Sequence, residues 1–207
     1  MLNAFTAGLL LITISELGDK TFFISVILST RYPRRPVFLG AVSALIAMTV
    51  ISVMLGSAIA FLPKRYVDYA EIIMFIVFGI KLIIDAWKMP AHHEREIIQE
   101  AEAEIATKAI TLEKNHSPWN IFAESFLLTF IAEWGDRTQI ATITLAASNN
   151  ALGVTLGAIT GHTICALIAV MGGKMIAGKI SEKTITFIGG ILFLIFAAVA
   201  VVEMVSG

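Results

Sequence analysis

The chain has 207 residues, of which 57% are hydrophobic and 15% charged, and its formal net charge is −1. Soluble domains are about a quarter charged and about half apolar, so this composition excludes an ordinary soluble domain. A nearly neutral chain also argues against a nucleic-acid partner, and the single cysteine, Cys165, excludes an internal disulfide.

Apolar residues are concentrated in six blocks, which give the chain a mean hydropathy of +0.83. A helix needs about 20 residues to cross the hydrocarbon core of a bilayer. The N-terminal block lacks a basic leader and a cleavage site, so we expect it to remain as the first membrane helix. The sequence predicts an all-α integral membrane protein with six transmembrane helices, at about 3–30, 36–62, 68–88, 119–147, 151–174 and 184–205.

A long polar stretch, residues 89–118, separates the third and fourth blocks. Apolar residues recur in it at helical spacing among acidic ones, at Ile98, Ala101, Ile105 and Ala109. This pattern predicts a partly helical, amphipathic linker outside the bilayer. The linker is interpreted as a solvated connector, and the alternative is an acidic vestibule that gathers cations with His92 and His93.

The two halves on either side of the linker repeat each other. Residues 16–21 (ELGDKT) match residues 133–138 (EWGDRT) at an offset of 117, and the same offset aligns Gly40 with Gly157 and Gly56 with Gly173. Gly79 matches Gly190 after a small deletion. An internal duplication is therefore predicted, with a first three-helix repeat at 1–88, the linker at 89–118 and a second repeat at 119–207.

An odd number of helices in each repeat means that the second repeat enters the membrane from the opposite face. Such inverted repeats are typical of secondary transporters. Short loops on one side carry Arg31, Arg34, Arg35, Lys174, Lys179 and Lys183, whereas those on the other side carry Lys64 and Arg65. Because basic loops face the cytoplasm, we expect a multi-pass protein of the cell (inner) membrane, with a cytoplasmic linker and both termini outside.

Each repeated motif places two carboxylates inside an apolar run: Glu16 and Asp19, then Glu133 and Asp136. Burying a charged carboxylate in hydrocarbon costs several kcal/mol, so these groups are expected to face a partner, a cavity or an ion. Residues three apart share one face of a helix, which lets each pair converge. Gly18 and Gly135 permit either close helix approach or a local break that frees carbonyl oxygens.

The charges of the motifs suggest what they bind. Four carboxylates with Lys20 and Arg137 leave a formal charge of −2, which one divalent cation or two protons would neutralise. Neighbouring carboxylates in a low dielectric take up protons readily. Carboxylates with the side chains of Thr21, Thr138 and Gln139 are hard oxygen donors, which suit Mg²⁺, Ca²⁺ or Mn²⁺. The alternative is a structural role, in which Glu16–Lys20 and Glu133–Arg137 salt bridges hold helices together.

Three further residues are candidates for lining a cavity beside the motifs. They are Gly18, Gly135 and His162, although a packed, hydrogen-bonded histidine is the other interpretation of His162. No catalytic residue is proposed, because no nucleophile or base stands beside the motif residues. The expected partners are the bilayer and a divalent cation, with no cofactor besides the transported ion.

Twin E-x-G-D-[KR]-[TS] motifs in a six-helix chain resemble the MneA-type manganese exporters of bacteria. Their relatives are the Golgi and chloroplast calcium/manganese cation–proton exchangers of the lysine-exporter superfamily. The resemblance covers the whole chain, and it implies divalent-cation export with the metal bound by Glu16, Asp19, Glu133 and Asp136. Lys20, Thr21, Arg137 and Thr138 complete the two motifs.

The expected function is export of Mn²⁺ by alternating access, with protons as counter-ion. A Ca²⁺/H⁺ antiporter using the same residues is the nearest alternative. An intramembrane metal-dependent enzyme and a cation channel are the alternatives from other classes.

Overall fold

A computed structural model describes the backbone of residues 1–90, 93–108, 117–176 and 182–206. In this part of the chain every regular element is an α-helix. The helices are α1 (Leu2–Glu16), α2 (Lys20–Arg31), α3 (Arg34–Ile59), α4 (Lys64–Lys88), α5 (His93–Lys108), α6 (Pro118–Ala132), α7 (Arg137–Ser148), α8 (Ala151–Ile176) and α9 (Glu182–Ser206).

The six predicted apolar blocks all form helices, but two of them are broken. The first block is divided into α1 and α2, and the fourth into α6 and α7. Among the described residues, three helical segments are long and apolar enough to span a membrane, and they are Arg34–Ile59, Ala151–Gly172 and Lys183–Val205. The prediction of an all-helical membrane protein is confirmed to this extent.

Helices from the two halves pack against each other in a reciprocal way. α3 lies against α6, and α8 lies against α1. A Cβ atom at Gly40 would overlap the carbonyl oxygen of Phe122, and one at Gly157 would overlap the carbonyl oxygen of Phe5. These two contacts are related by the offset of 117 residues. Each half therefore packs a glycine-containing helix against the broken helix of the other.

The last helices of the two halves, α4 and α9, also meet through glycines. A Cβ atom at Gly79 would lie 3.0 Å from the carbonyl oxygen of Gly190, and one at Gly190 would lie 2.9 Å from that of Gly79. Small residues allow two helix backbones to approach closely, which is how membrane helices gain packing energy. The two glycines that match across the halves thus contact each other.

The linker helix α5 packs against α2. Ala101 and Ile105 are buried in an apolar cluster that also contains Phe22, Phe23 and Val26 of α2. Burial of an isoleucine side chain stabilises a fold by about 1.5–3 kcal/mol, so α5 is more than a solvated connector. Within the stretch 89–118, the structure has a helix over His93–Lys108. Predictions that involved His92, Ala109 and Lys179 lie outside the described residues.

Candidate cation site

Both motifs interrupt a helix at the same place. α1 gives way to α2 over residues 17–19, and α6 gives way to α7 over residues 133–136. Gly18 and Gly135 both have a φ of +83°, which glycine adopts without steric cost. The structure therefore shows the local break, and the expectation that each Glu–Asp pair lies on one continuous helix face is wrong.

The breaks bring three motif carboxylates from the two halves together. Glu16, Asp19 and Glu133 each place one carboxylate oxygen within 4.8 Å of the other two. Glu16 and Glu133 are only 2% and 3% exposed, and Asp19 is half-buried. Negative charges so close together in a low dielectric repel each other strongly, so the group calls for a cation or protons.

Asp136, the fourth predicted ligand, does not belong to this group of carboxylates. Its Oδ1 atom accepts hydrogen bonds from the Thr138 hydroxyl at 2.7 Å and from the backbone N–H of Gln139 at 2.8 Å, which caps the first turn of α7. Asp19 occupies the same position before α2, but its side chain makes no capping hydrogen bond. The two aspartates match in sequence and differ in what they contact.

The motif threonines lie beside the carboxylates. The hydroxyl of Thr21 is 3.3 Å from Oε2 of Glu16, and that of Thr138 is 3.4 Å from Oε2 of Glu133. A hydroxyl has only one proton to donate, and Thr138 has the shorter contact to Asp136. Thr21 thus donates to a glutamate of the carboxylate group, whereas Thr138 donates chiefly to the capping aspartate.

The basic residues of the motifs contact elements outside their own motif. Arg137 donates from Nη2 to Oδ1 of Asp19 at 3.5 Å, which joins the two halves. Lys20 forms an ion pair with Glu104 of the linker helix. The alternative, structural role of the motifs required salt bridges from Glu16 to Lys20 and from Glu133 to Arg137. In the described part of the chain, Lys20 and Arg137 make the two pairs above instead.

Gln139 and His162 lie on the Glu133 side of the site. With Glu133 and Thr138, they line a cavity of about 10 Å³, room for about one water molecule. The side-chain oxygen of Gln139 accepts a hydrogen bond from the backbone N–H of Gly135 at 2.7 Å, so it stabilises the helix break.

The three residues predicted to line a cavity have different positions. Gly18 borders a cavity of about 30 Å³ together with Asp19 and Arg137. His162 is 5% exposed and borders the cavity beside Glu133. Gly135 is exposed, and no atom of the described residues lies within 4 Å of the position that its Cβ atom would take. Its role in lining a cavity stays a prediction.

Some residues of the site were missed from the sequence. Thr129 and Ser25 border a cavity of about 10 Å³ beside Glu16, and Glu104 pairs with Lys20. The sequence could have indicated Thr129, because this polar residue of α6 stands one helical turn before Glu133. The signal for Glu104 was an acidic residue placed directly beside Ile105, on the apolar face of the linker helix.

Carboxylates gathered at helix breaks, with helices long and apolar enough to span a membrane in the described part of the chain, are the features expected of a membrane protein that handles cations. The family described as "Divalent cation/proton antiporter GDT1" matches residues 4–90 and 121–207. These two stretches make up most of the chain, which therefore belongs to the GDT1 family. The resemblance found in the sequence is confirmed at the level of the family, and a family of transporters excludes the enzyme alternative.

Relatives from other organisms match along nearly the whole chain. A GDT1-like protein of Synechocystis sp. is 61% identical over 200 residues, which cover 97% of each chain. GDT1-like protein 4 of Oryza sativa subsp. indica is 43% identical and covers 95% of this chain and 72% of its own length. The chloroplastic PAM71 homologue of Arabidopsis thaliana is 41% identical, over 95% of this chain and 58% of its own. No solved structure matches the chain.

Proposed function

We propose that this protein is a secondary transporter that exports a divalent cation in exchange for protons, and that Mn²⁺ is the first candidate for this cation. The observation that carries the proposal is the convergence of Glu16, Asp19 and Glu133, whose oxygens lie within 4.8 Å of one another. Carboxylate oxygens suit Mn²⁺, Ca²⁺ and Mg²⁺. The two halves contribute to one ion site, and the ion is the transported substrate.

Formal charges favour an exchange of one divalent cation for two protons. The Lys20 charge is offset by Glu104, its partner in the linker. The three converging carboxylates and Arg137, which contacts Asp19, then sum to −2. Asp136 is left out of this sum because its carboxylate caps α7 in this structure. One divalent cation or two protons would neutralise this charge equally, so either occupant makes the buried site electrostatically acceptable.

We propose that the chain crosses the membrane six times as two inverted repeats, at 1–88 and 119–207, joined by the linker at 89–118. The reciprocal glycine contacts between the halves support this arrangement. So do the two stretches that match the family, because their limits, 4–90 and 121–207, are displaced by 117 residues. A broken helix in each repeat, with the site where the breaks meet, is typical of transporters with inverted repeats.

The proposed orientation places α5 in the cytoplasm and both termini outside the cell membrane. Arg31 ends α2, and Arg34 and Arg35 begin α3, whereas on the opposite side Lys64 and Arg65 begin α4. Basic loops favour the cytoplasmic side. The ion pair of Glu104 with Lys20 then connects a cytoplasmic helix to the first motif.

In the proposed cycle, the two halves move relative to each other around the bound ion. The Arg137–Asp19 contact joins the halves, so it is expected to change as they move. Asp136 is held by Thr138 and Gln139 in this structure. We assign Asp136 to the ion in another step of the cycle, when movement of α7 turns its carboxylate toward the other three.

A Ca²⁺/H⁺ antiporter is the second candidate, because the converging ligands are all oxygens and Ca²⁺ takes six to eight of these. Purified protein in liposomes, with a pH reporter inside, separates the candidates when Mn²⁺ or Ca²⁺ is added outside. Mn²⁺ uptake should release protons from the interior and should exceed uptake of Ca²⁺. Preferential Ca²⁺ uptake would support the second candidate.

Variants of the same preparation test the site. Asp19→Asn should abolish uptake of both ions, whereas Glu102→Gln, an exposed carboxylate on α5, should leave it unchanged. Intact transport by Asp19→Asn would overturn the site assignment. Mn²⁺ uptake without any internal pH change would overturn proton exchange, and a proton-independent current would indicate a channel.

A further inference from the structure

We propose that His162 sets the preference of this site for a first-row transition-metal ion over Ca²⁺, by offering Nδ1 as a nitrogen ligand. The inference rests on the proposed function, because it concerns the same ion. His162 lies in α8, away from both motifs in sequence. It would add a ligand of a different chemical type to a site otherwise made of oxygens.

The burial and contacts of His162 support a ligand role. The residue is 5% exposed, and its Nδ1 atom has no hydrogen-bond partner among the described residues. Oε1 of Glu16 is likewise buried without a partner, and the two atoms are 3.9 Å apart. A separation of 3.9 Å is too long for a hydrogen bond. Two buried polar atoms that face each other without bonding are expected to share a third partner.

The same separation fits two ligands of one metal ion. Ligand bonds of about 2.2 Å, between the values for Mg²⁺ and Ca²⁺, place two ligands about 3.1 Å apart at a right angle and about 4.4 Å apart on opposite sides. The observed 3.9 Å lies between these limits. His162 also borders a cavity with Glu133, so it lies beside glutamates of both motifs.

The chemistry of imidazole gives the direction of the preference. A neutral imidazole that carries its proton on Nε2 offers the Nδ1 lone pair, and histidine is the commonest metal ligand. First-row transition ions accept nitrogen ligands, whereas Ca²⁺ takes six to eight oxygens. One nitrogen among three carboxylates therefore favours an ion such as Mn²⁺ over Ca²⁺.

The repeat shows that the fold does not need an imidazole at this position. The offset of 117 residues pairs His162 with Leu45 of α3, and Leu45 borders the cavity beside Glu16. A leucine satisfies the packing in the first half, so packing alone does not account for the histidine in the second. Both halves thus supply carboxylates to the site, whereas the histidine stands in the second half alone.

The test compares binding of Mn²⁺ and of Ca²⁺ to purified protein in detergent, for wild type, His162→Leu and His162→Asn. His162→Leu copies the first half, and His162→Asn replaces the nitrogen by an oxygen. Both should weaken Mn²⁺ binding on the order of tenfold or more, as loss of a metal-site group does, with little change for Ca²⁺. Thr163→Val is the control, because the Thr163 hydroxyl is satisfied by the carbonyl of Ile159.

A spectroscopic measurement on the wild type does not depend on any variant folding. Electron spin-echo modulation of bound Mn²⁺ should show a coupled ¹⁴N nucleus that disappears in both His162 variants. Absence of the nitrogen signal, or equal losses of Mn²⁺ and Ca²⁺ binding, would overturn the inference. If the wild type bound neither ion, or Asp19→Asn bound both normally, the proposed function itself would fail instead.

Discussion

The Lys20 ammonium pairs with the Glu104 carboxylate, so the first motif is joined directly to the helix that connects the two halves. Glu104 is 9% exposed and sits beside the buried Ile105. The pair therefore has a partly dry environment, in which charges interact more strongly than in water. The positive charge of Lys20 is offset there and is kept from opposing a cation bound by the motif.

Glu104→Gln should weaken divalent-cation binding, because the Lys20 charge would then be uncompensated next to the site. A loss on the order of tenfold is expected from charges at short range in a medium of intermediate dielectric. Titration of purified protein with Mn²⁺ measures it. Glu102→Gln, on the exposed side of the same helix, is the matched control, and the double variant Lys20→Gln/Glu104→Gln should recover most of the affinity. Equal effects at positions 102 and 104 would contradict the prediction.

The two motif aspartates should respond differently to substitution. Asp19 shares the carboxylate group with Glu16 and Glu133, so Asp19→Asn should reduce cation binding more than Asp136→Asn does. Asn retains the ability to cap a helix, so the comparison isolates the loss of charge. Isothermal titration with Mn²⁺ provides the measurement. A greater loss of Mn²⁺ binding in Asp136→Asn than in Asp19→Asn would mean that the ion is bound chiefly by the second motif.

Substitution of the two aspartates by alanine should affect stability in the opposite order, with the larger loss at Asp136. Asp136→Ala loses the hydrogen bond from the Gln139 N–H that caps α7, and with it the bond from the Thr138 hydroxyl; loss of the cap is expected to cost about 1 kcal/mol. Asp19→Ala loses no cap and should cost less. Thermal unfolding in one detergent, without divalent cations, compares the two, and an equal loss would argue against the capping role.

Gly190→Ala should destabilise the protein, and its neighbour Gly189→Ala should not. A Cβ atom at Gly190 would lie 2.7 Å from Cγ1 of Ile83 and 2.9 Å from the carbonyl oxygen of Gly79, whereas the nearest atom to one at Gly189 is 3.7 Å away. Overpacking costs about 1–3 kcal/mol, while alanine in open helix is favoured over glycine by up to about 1 kcal/mol. Thermal unfolding measures both, and similar shifts would show that α4 and α9 do not pack closely.

Gly135→Ala should destabilise the second helix break through the backbone alone. In the part of the chain that the structure describes, nothing lies within 4 Å of the Cβ position, and φ is +83°, a conformation that costs an L-residue about 1–2 kcal/mol. Gly135→Asn should cost less, because asparagine tolerates a positive φ. The same unfolding assay applies, and an equal cost for Ala and Asn would indicate that the break relaxes into a continuous helix.

The sequence could predict the helices and the repeat because these depend on local composition. Apolar blocks bounded by residues such as Pro63 and Ser117 end or begin close to the observed helix limits. The motif glycines allowed a break as one of two options, because glycine permits a positive φ without requiring it.

Partners in space could not be read from the sequence. Asp19 and Asp136 stand in nearly identical motifs, and only the fold decides that one joins the glutamates while the other caps a helix. The partner of Lys20 depends on where α5 packs. The orphaned Nδ1 of His162 likewise becomes visible only once α8 lies beside α1.

The contact of Gly79 with Gly190 has the geometry of an isologous dimer interface, in which a residue meets its own copy on the partner. In such an interface one substitution changes both sides of the contact, so positions 79 and 190 are expected to constrain each other. Two copies of a half-length chain with this glycine could form the same contact as a dimer. Fusion of two such chains through a linker would preserve the interface and free each half to diverge, as at Leu45 and His162.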